Sequence, residues 1–174
     1  MSEAVLAKAS VRRVSAALAV AGSTAQVVAL ADSAHTAQQA ADALGCPVGA
    51  IVKSLVFLLD ESPVMALVAG DRRCDTATLP TVFGILGAKV GRADAEVVRS
   101  ATGFAIGGVA PIGHPAPLAI VIDASLGRFS RMYAAAGHPH CVFATSLEEL
   151  ARLTGATISP MIGVAQSDVD ASLT

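Results

Sequence analysis

The sequence has no tryptophan, one tyrosine and five phenylalanines, so aromatics make up 3% of a chain that is 53% hydrophobic. A core of this kind must be assembled from Ala, Val, Leu and Ile, through many small contacts and few large anchors. Charge is scarce as well: 15% of residues, with 12 Lys and Arg against 14 Asp and Glu and a net of −2. That balance argues against an extended non-specific DNA-binding surface, which needs a strong positive field. It leaves room for a small contact with one end of a nucleic acid. Cys46, Cys74 and Cys141 form no CxxC pair, so neither a disulfide framework nor a zinc ribbon is indicated, and reduced thiols are the simplest account.

Long apolar runs are missing too. Mean hydropathy is +0.62, yet Lys53, Asp60, Asp71, Asp123 and Arg128 break every stretch before the roughly twenty residues a spanning helix needs. The start carries Glu3 and Lys8 and does not read as a secretory signal. We expect a soluble, cytoplasmic protein that makes no use of a membrane. The sequence also lacks GxSxG, HExxH and GxGxxG, so a nucleophile elbow, a zincin helix and a dinucleotide fingerprint are not indicated.

What is present fits one domain over residues 1–174, large enough to bury a core. Ser10 can cap a helix over 11–21, and Val27 to Leu30 suggest a short strand. Ser33 or Thr36 can start a helix from Ala37 to Leu44, closed by Gly45. Ile51 to Leu59 and Val64 to Ala69 read as a hairpin joined by Asp60-Glu61-Ser62-Pro63. A helix with Thr78 as cap and Pro80 in its first turn should end near Gly87. Asp94 caps Ala95 to Ala101, stopped by Gly103. Phe104 to Ile106, Leu118 to Ile122, Arg131 to Ala136 and Cys141 to Ala144 are strand candidates. Ser146 caps Leu147 to Leu153, with Glu149 placed as in a capping box. Ala156 to Ser159 is a candidate last strand, and the tail after Gly163 reads as polar and frayed. Interleaved helices and hairpins imply an α+β or mixed α/β fold rather than a doubly wound parallel sheet.

Several residues could carry chemistry. Lys53 shares a strand face with Ile51, Leu55, Phe57 and Leu59, and Ser54 shares the other with Val52, Val56 and Leu58. An ammonium on an apolar face must be paired, reach the edge, or meet an anionic ligand. Asp71 and Asp75 flank Arg72-Arg73-Cys74, where turn or cap roles come first for the acids. Arg72 or Arg73 could fork onto a phosphate. Cys74, among arginines, has the strongest case for a reactive thiol, though a structural role is favoured. His138 and His140 share a face if extended, but nothing completes a metal site. The stretch Thr102 to Gly113 holds four glycines and Pro111, a density that suggests backbone brought close to something.

Together these segments resemble the YbaK/EbsC proteins and the prolyl-tRNA synthetase editing domain. The resemblance is carried by Ala41 to Pro47 leading into Ile51 to Phe57, by Val68-Ala69-Gly70-Asp71-Arg72-Arg73, by Thr102-Gly103 with Gly107 to Pro111, by Ala136-Gly137-His138-Pro139, and by Leu150 to Gly155. It runs from about residue 24 to 160. It implies a curved, barrel-like mixed sheet with surrounding helices and, as activity, hydrolysis in trans of the ester joining a wrong amino acid to the tRNA 3′ end, in the tRNA-Pro class. A non-catalytic aminoacyl-tRNA or amino-acid binding module of the same fold is the alternative. No cofactor or metal is implied. The acceptor end of a mischarged tRNA is the expected partner, with prolyl-tRNA synthetase as a second, and a monomer or weak homo-oligomer is expected. The expected catalytic set is Lys53, Gly107 and Gly108, with Lys53 as anchor and the glycine backbone polarising the carbonyl. The expected substrate-binding set is Ser54, Asp71, Arg72, Thr102, Gly103, Gly137 and His138. Branches of the family clear Cys, Ala, or Ser and Thr, and the small residues Ala134 to Ala136 do not choose among them.

Overall fold

The apolar run 51–59 forms the longest strand, and the other elements are arranged around it. The computed structural model describes residues 2–166. In chain order the elements are α1 (Ser2–Leu6), α2 (Ala9–Val20), β1 (Val27–Ala29), α3 (Ala37–Leu44), β2 (Ile51–Leu59), β3 (Ser62–Ala69), β4 (Arg72–Cys74), α4 (Leu79–Val82), β5 (Val90–Arg92), α5 (Ala95–Thr102), β6 (Ala119–Asp123), β7 (Met132–Ala135), β8 (Cys141–Thr145), α6 (Leu147–Thr154), β9 (Thr157–Ser159) and β10 (Gly163–Ala165).

Eight strands form one mixed sheet in the order β1-β8-β7-β2-β3-β6-β9, with β5 also on β2, while β4 and β10 form a separate pair. The fold is mixed α/β, and the sheet is open, ending at β1 and β9. β2 and β3 pair antiparallel from Val52↔Ala69 to Leu59↔Ser62. Their link is Asp60-Glu61 alone, two residues shorter than expected, because Ser62 and Pro63 join the strand. Pro63 is tolerated because it sits at a non-hydrogen-bonded position opposite Leu58 and before β6 begins to pair at Val64, so its missing N–H costs no ladder bond. Asp60 takes φ 55° and is fixed by Lys89, whose N–H donates to Asp60 Oδ1 at 2.9 Å.

The other edge of β2 is divided. β7 runs parallel to it only at Ile51 and Val52. β5 runs antiparallel to it only from Phe57 to Leu59. Between these two short partners the strand edge is bare.

Strand alternation gives the sheet two cores. Val52, Met65, Leu67 and Ala69 pack with Val11, Val14 and Leu18 of α2, Leu150 of α6, Phe104 and Phe143. Val64, Ala66 and Val68 pack with Cys74, Leu79, Val121 and Ile162 on the opposite face. Aliphatic side chains dominate both, as the composition requires.

Thr36, Asp94 and Ser146 cap their helices, accepting from Gln39, Val97 and Glu149 N–H at 3.1, 2.9 and 3.2 Å. Glu149 does not complete a capping box: its carboxylate turns to Arg152, 2.6 Å away. Other local expectations fail for identifiable reasons. α2 begins at Ala9 with Lys8 before it, so Ser10 lies inside the helix and caps nothing. The helix carrying Pro80 is one turn, and the Thr78 hydroxyl donates to the Asp75 carbonyl at 2.7 Å instead of capping it. Phe104 to Ile106 is not a strand. Gly103 turns the chain at φ 79°, and the Phe104 N–H donates to Thr102 Oγ1 at 3.1 Å. Gly163 to Ala165 is not frayed but pairs with β4; residues 167–174 of the expected polar tail lie outside the described residues.

Asp123 ties the elements behind the bare edge together. Its carboxylate is 1% exposed and accepts from Ala69 N–H at 3.1 Å, Ser125 N–H at 2.9 Å and the Ser125 hydroxyl at 2.8 Å. Replacing it leaves the Ala69 N–H buried and unpaired, at about 1–3 kcal/mol. Asp123→Ala is therefore expected to lower unfolding stability by that amount in denaturant titration. A midpoint equal to wild type contradicts the assignment.

Candidate active site

A cavity of about 870 Å³ opens at the bare edge of β2, lined by Ile51 to Phe57, by Arg73 and Cys74, by Val90 to Arg92, and by the loops at Gly107 and His138. Lys53, Arg73, Arg92, His35 and His138 line it, and no Asp or Glu does. A second depression of about 480 Å³ lies against α2 and α6. It is lined by Pro111 to Leu118 and holds His114, whose Nε2 is 2.8 Å from the Ala110 carbonyl. It contains no lysine or arginine.

Because the cavity opens at a strand edge, it reaches both sheet faces. Lys53 lies with Leu55 and Phe57 on the face covered by Cys74. Arg92 is directly opposite Phe57 and so shares that face. Ser54 lies with Val52 and Val56 on the face of Val98 and Val109. One half of the cavity is thus cationic and the other mainly apolar, with the strand edge between them. The glycine loop stands on the Ser54 side, not opposite the lysine.

Lys53 is half-buried, and its Nζ donates to the Arg72 carbonyl. Burial pulls its pKa below the ordinary 10.5, against the carboxylates of Asp71 and Asp123 and the nearby Cys74. The turn that supplies the Arg72 carbonyl is held by a forked pair: Arg128 donates to both Asp71 oxygens, at 2.9 and 2.7 Å. Asp71 therefore has a structural partner and does not line the cavity, and Arg72 contributes its carbonyl while Arg73 lines the cavity. Cys74 is not poised as a thiolate. Burial first, then Asp75 and Asp123, push its pKa up to about 11 against Lys53 and Arg73.

The glycines divide by role. Gly107 lines the cavity at φ 103°. Gly108 sits back to back with the second loop, where a Cβ would lie 2.7 Å from the His138 N and Cα atoms. Its N–H is engaged with the Ala105 carbonyl at 3.1 Å. Gly137, at φ 91°, packs against the Ser10 carbonyl. Thr102 is buried, its hydroxyl donating to the Val98 carbonyl at 2.7 Å, and Gly103 ends α5 beside Arg13; neither lines the cavity. His138 lines it, with Nδ1 accepting from the His140 N–H at 3.1 Å. Burial, then His140 and Lys8, hold its pKa below the usual histidine value. Among the described residues no group of three or more His, Cys, Asp or Glu could hold a metal ion.

The structure thus brings Lys53, Ser54, Gly107 and His138 to one cavity and adds Arg73, Arg92, Val98 and Tyr133. Arg92 has no motif of its own in the sequence. Its strand is Val-Gly-Arg, too short for a periodic signal.

A family model described as the aminoacyl-tRNA editing domain matches residues 31–153. The uncharacterized protein YwhH of Bacillus subtilis is 31% identical over 123 residues, spanning 70% of this chain and 76% of that protein. Proline--tRNA ligase of Thermoanaerobacter sp. is 32% identical over 89 residues, 51% of this chain; the match spans only 16% of the ligase. A crystal structure described as "a putative trans-editing enzyme for prolyl tRNA synthetase" superposes with TM-score 0.83 at 39% identity, covering 91% of this chain and 99% of that one. The family match and the superposition therefore define a tRNA-editing type of domain. The chain belongs to the aminoacyl-tRNA editing domain family.

The Asp71–Arg128 fork holds the Asp71 carboxyl below its ordinary 3.8. Its contribution is present above the unfolded value and is lost as pH falls through the lower folded one. In Arg128→Met the Asp71 pKa, read by NMR titration, is expected to rise toward 3.8. An unchanged value contradicts the pairing.

Proposed function

We propose that this protein is a trans-acting aminoacyl-tRNA deacylase that hydrolyses the ester of a mischarged tRNA of the tRNA-Pro class, working in the cytoplasm beside prolyl-tRNA synthetase. The observation that carries this reading is the cavity of a chain in the editing family: three cations, Lys53, Arg73 and Arg92, and no carboxylate line it. A cation-lined concavity suits the phosphates of an acceptor end. Its restricted size suits one terminus rather than a duplex.

The reaction needs little from the protein beyond placement. Water adds its oxygen to the acyl carbon, the bond from that carbon to the ribose oxygen breaks, and the proton passes to the ribose oxygen. An aminoacyl ester is already activated, so holding it against a water or a substrate hydroxyl supplies much of the acceleration. Lys53, whose Nζ already meets a carbonyl, anchors the terminal nucleotide on the cationic side.

The second reading, a binding module without turnover, is favoured by one observation: the cavity has no carboxylate to act as base, and the Nδ1 of His138 is engaged. A panel of mischarged tRNAs separates the two, scored by release of each amino acid. Release of at least one is expected; binding without release supports the module. Lys53→Ala removes a charge-assisted contact of about 1.5–3 kcal/mol, so kcat/KM should fall about 10- to 100-fold. Full activity in that variant defeats the assignment of Lys53.

Charge on Lys53 also predicts a pH dependence of binding. Its cationic form is lost as pH rises through a pKa below 10.5. Affinity for an acceptor-stem mimic with a 3′-amide in place of the ester should decline with a midpoint below that value in wild type and not in Lys53→Ala. A wild-type midpoint at or above it contradicts the role.

A further inference from the structure

We propose that the aminoacyl group fills the gap in the sheet as a one-residue strand, paired with the main chain of Ser54, whose N–H polarises the ester carbonyl. This rests on the deacylase reading above and says how that substrate is held.

The register fixes which groups face the gap. The Gly70 N–H donates to the Ile51 carbonyl at 2.8 Å, which makes Ile51 and Gly70 a hydrogen-bonded pair. In an antiparallel ladder such pairs alternate, so Ile51, Lys53, Leu55 and Phe57 direct their main-chain groups to β3. Val52, Ser54, Val56 and Leu58 direct theirs to the opposite edge. Val52 meets β7 there and Leu58 meets β5. Ser54 and Val56 fall between, and among the described residues no bond to the N–H or C=O of either is formed outside the ladders. Ser54 is the one of the two with a polar side chain. Its hydroxyl is buried and also lacks a partner.

A partly buried N–H and C=O left unpaired on one residue favour any ligand that offers the complement. A hydrogen-bonded strand pair exchanges two bonds between two residues. An aminoacyl ester carries the same two functions in the same order: a carbonyl to accept from the Ser54 N–H and an α-ammonium to donate to the Ser54 C=O. The position also suits the connectivity of the substrate. The ester joins a nucleotide to an acyl side chain, and Ser54 sits where the Lys53 and Arg92 half meets the Val98 and Val109 half. The rival donor in the glycine loop, the Gly108 N–H, is engaged with Ala105. In the reaction the Ser54 N–H faces the oxygen that gains charge as water adds to the acyl carbon and the ribose oxygen leaves with the proton. Such a donor is worth about 10²–10³ in kcat.

Two experiments test this. Hydrogen exchange read by ¹⁵N NMR should show Lys53 and Leu55 amides protected and the Ser54 amide exchanging freely, then becoming protected when a 3′-amide aminoacyl-adenosine binds. A Ser54 amide protected in the free protein, or unaffected by the ligand, overturns the proposal. Incorporating the α-hydroxy acid analogue of serine at position 54 replaces only that N–H by an ester oxygen. It should lower kcat about 100-fold with a smaller change in KM, and by more than Ser54→Ala does. A loss equal to that of Ser54→Ala, or activity within threefold of wild type, overturns it. If wild type releases no amino acid while the amide still becomes protected, the deacylase reading fails and this binding mode stands.

Discussion

Two short strands share one edge of β2, and neither reaches the other. β7 pairs with the first two residues and β5 with the last three, and the cavity exists because the four residues between have no strand beside them. Backbone groups in that position would ordinarily be a liability, open to pairing with another chain. Here the edge is recessed, flanked by strands on both sides and roofed by the loops at Gly107 and His138. A recessed edge admits a small group and excludes a long strand.

The same edge gives the cavity its polarity. Neighbouring residues on a strand point to opposite faces, so a cation at 53 and a hydroxyl at 54 stand on two sides of one opening. Behind the cationic side the Asp71–Arg128 fork fixes the turn whose carbonyl receives the Lys53 ammonium. Asp123 fixes the end of β3 beneath it. These carboxylates stabilise the architecture and raise the cationic character of Lys53 without entering the cavity. The lining stays positive while the residues around it balance the charge.

Much of this was legible in the sequence because it is local. The β2 run is apolar on both sides of Lys53 and Ser54, and the caps at Thr36, Asp94 and Ser146 sit one residue before their helices. The alternation of Lys53 and Ser54 was readable as well. What decides the site is not local. That Val90 to Arg92 would take part of an edge also used by Met132 to Ala135 follows from tertiary pairing between segments without strong patterns. The glycine loop was correctly singled out as a close approach, but Gly108 and Gly137 serve contacts within the protein rather than an open wall. Apolar triplets such as Phe104 to Ile106 mimic strands; a left-handed glycine and a local hydroxyl decide otherwise.

The central claim is that the gap in the sheet is the seat of the substrate. A crystal structure with a non-hydrolysable aminoacyl-adenosine tests it most directly. The account predicts the aminoacyl group between β5 and β7, with the nucleotide toward Lys53, Arg73 and Arg92. Ligand bound in the His114 depression, or over a closed β2 edge, would contradict it.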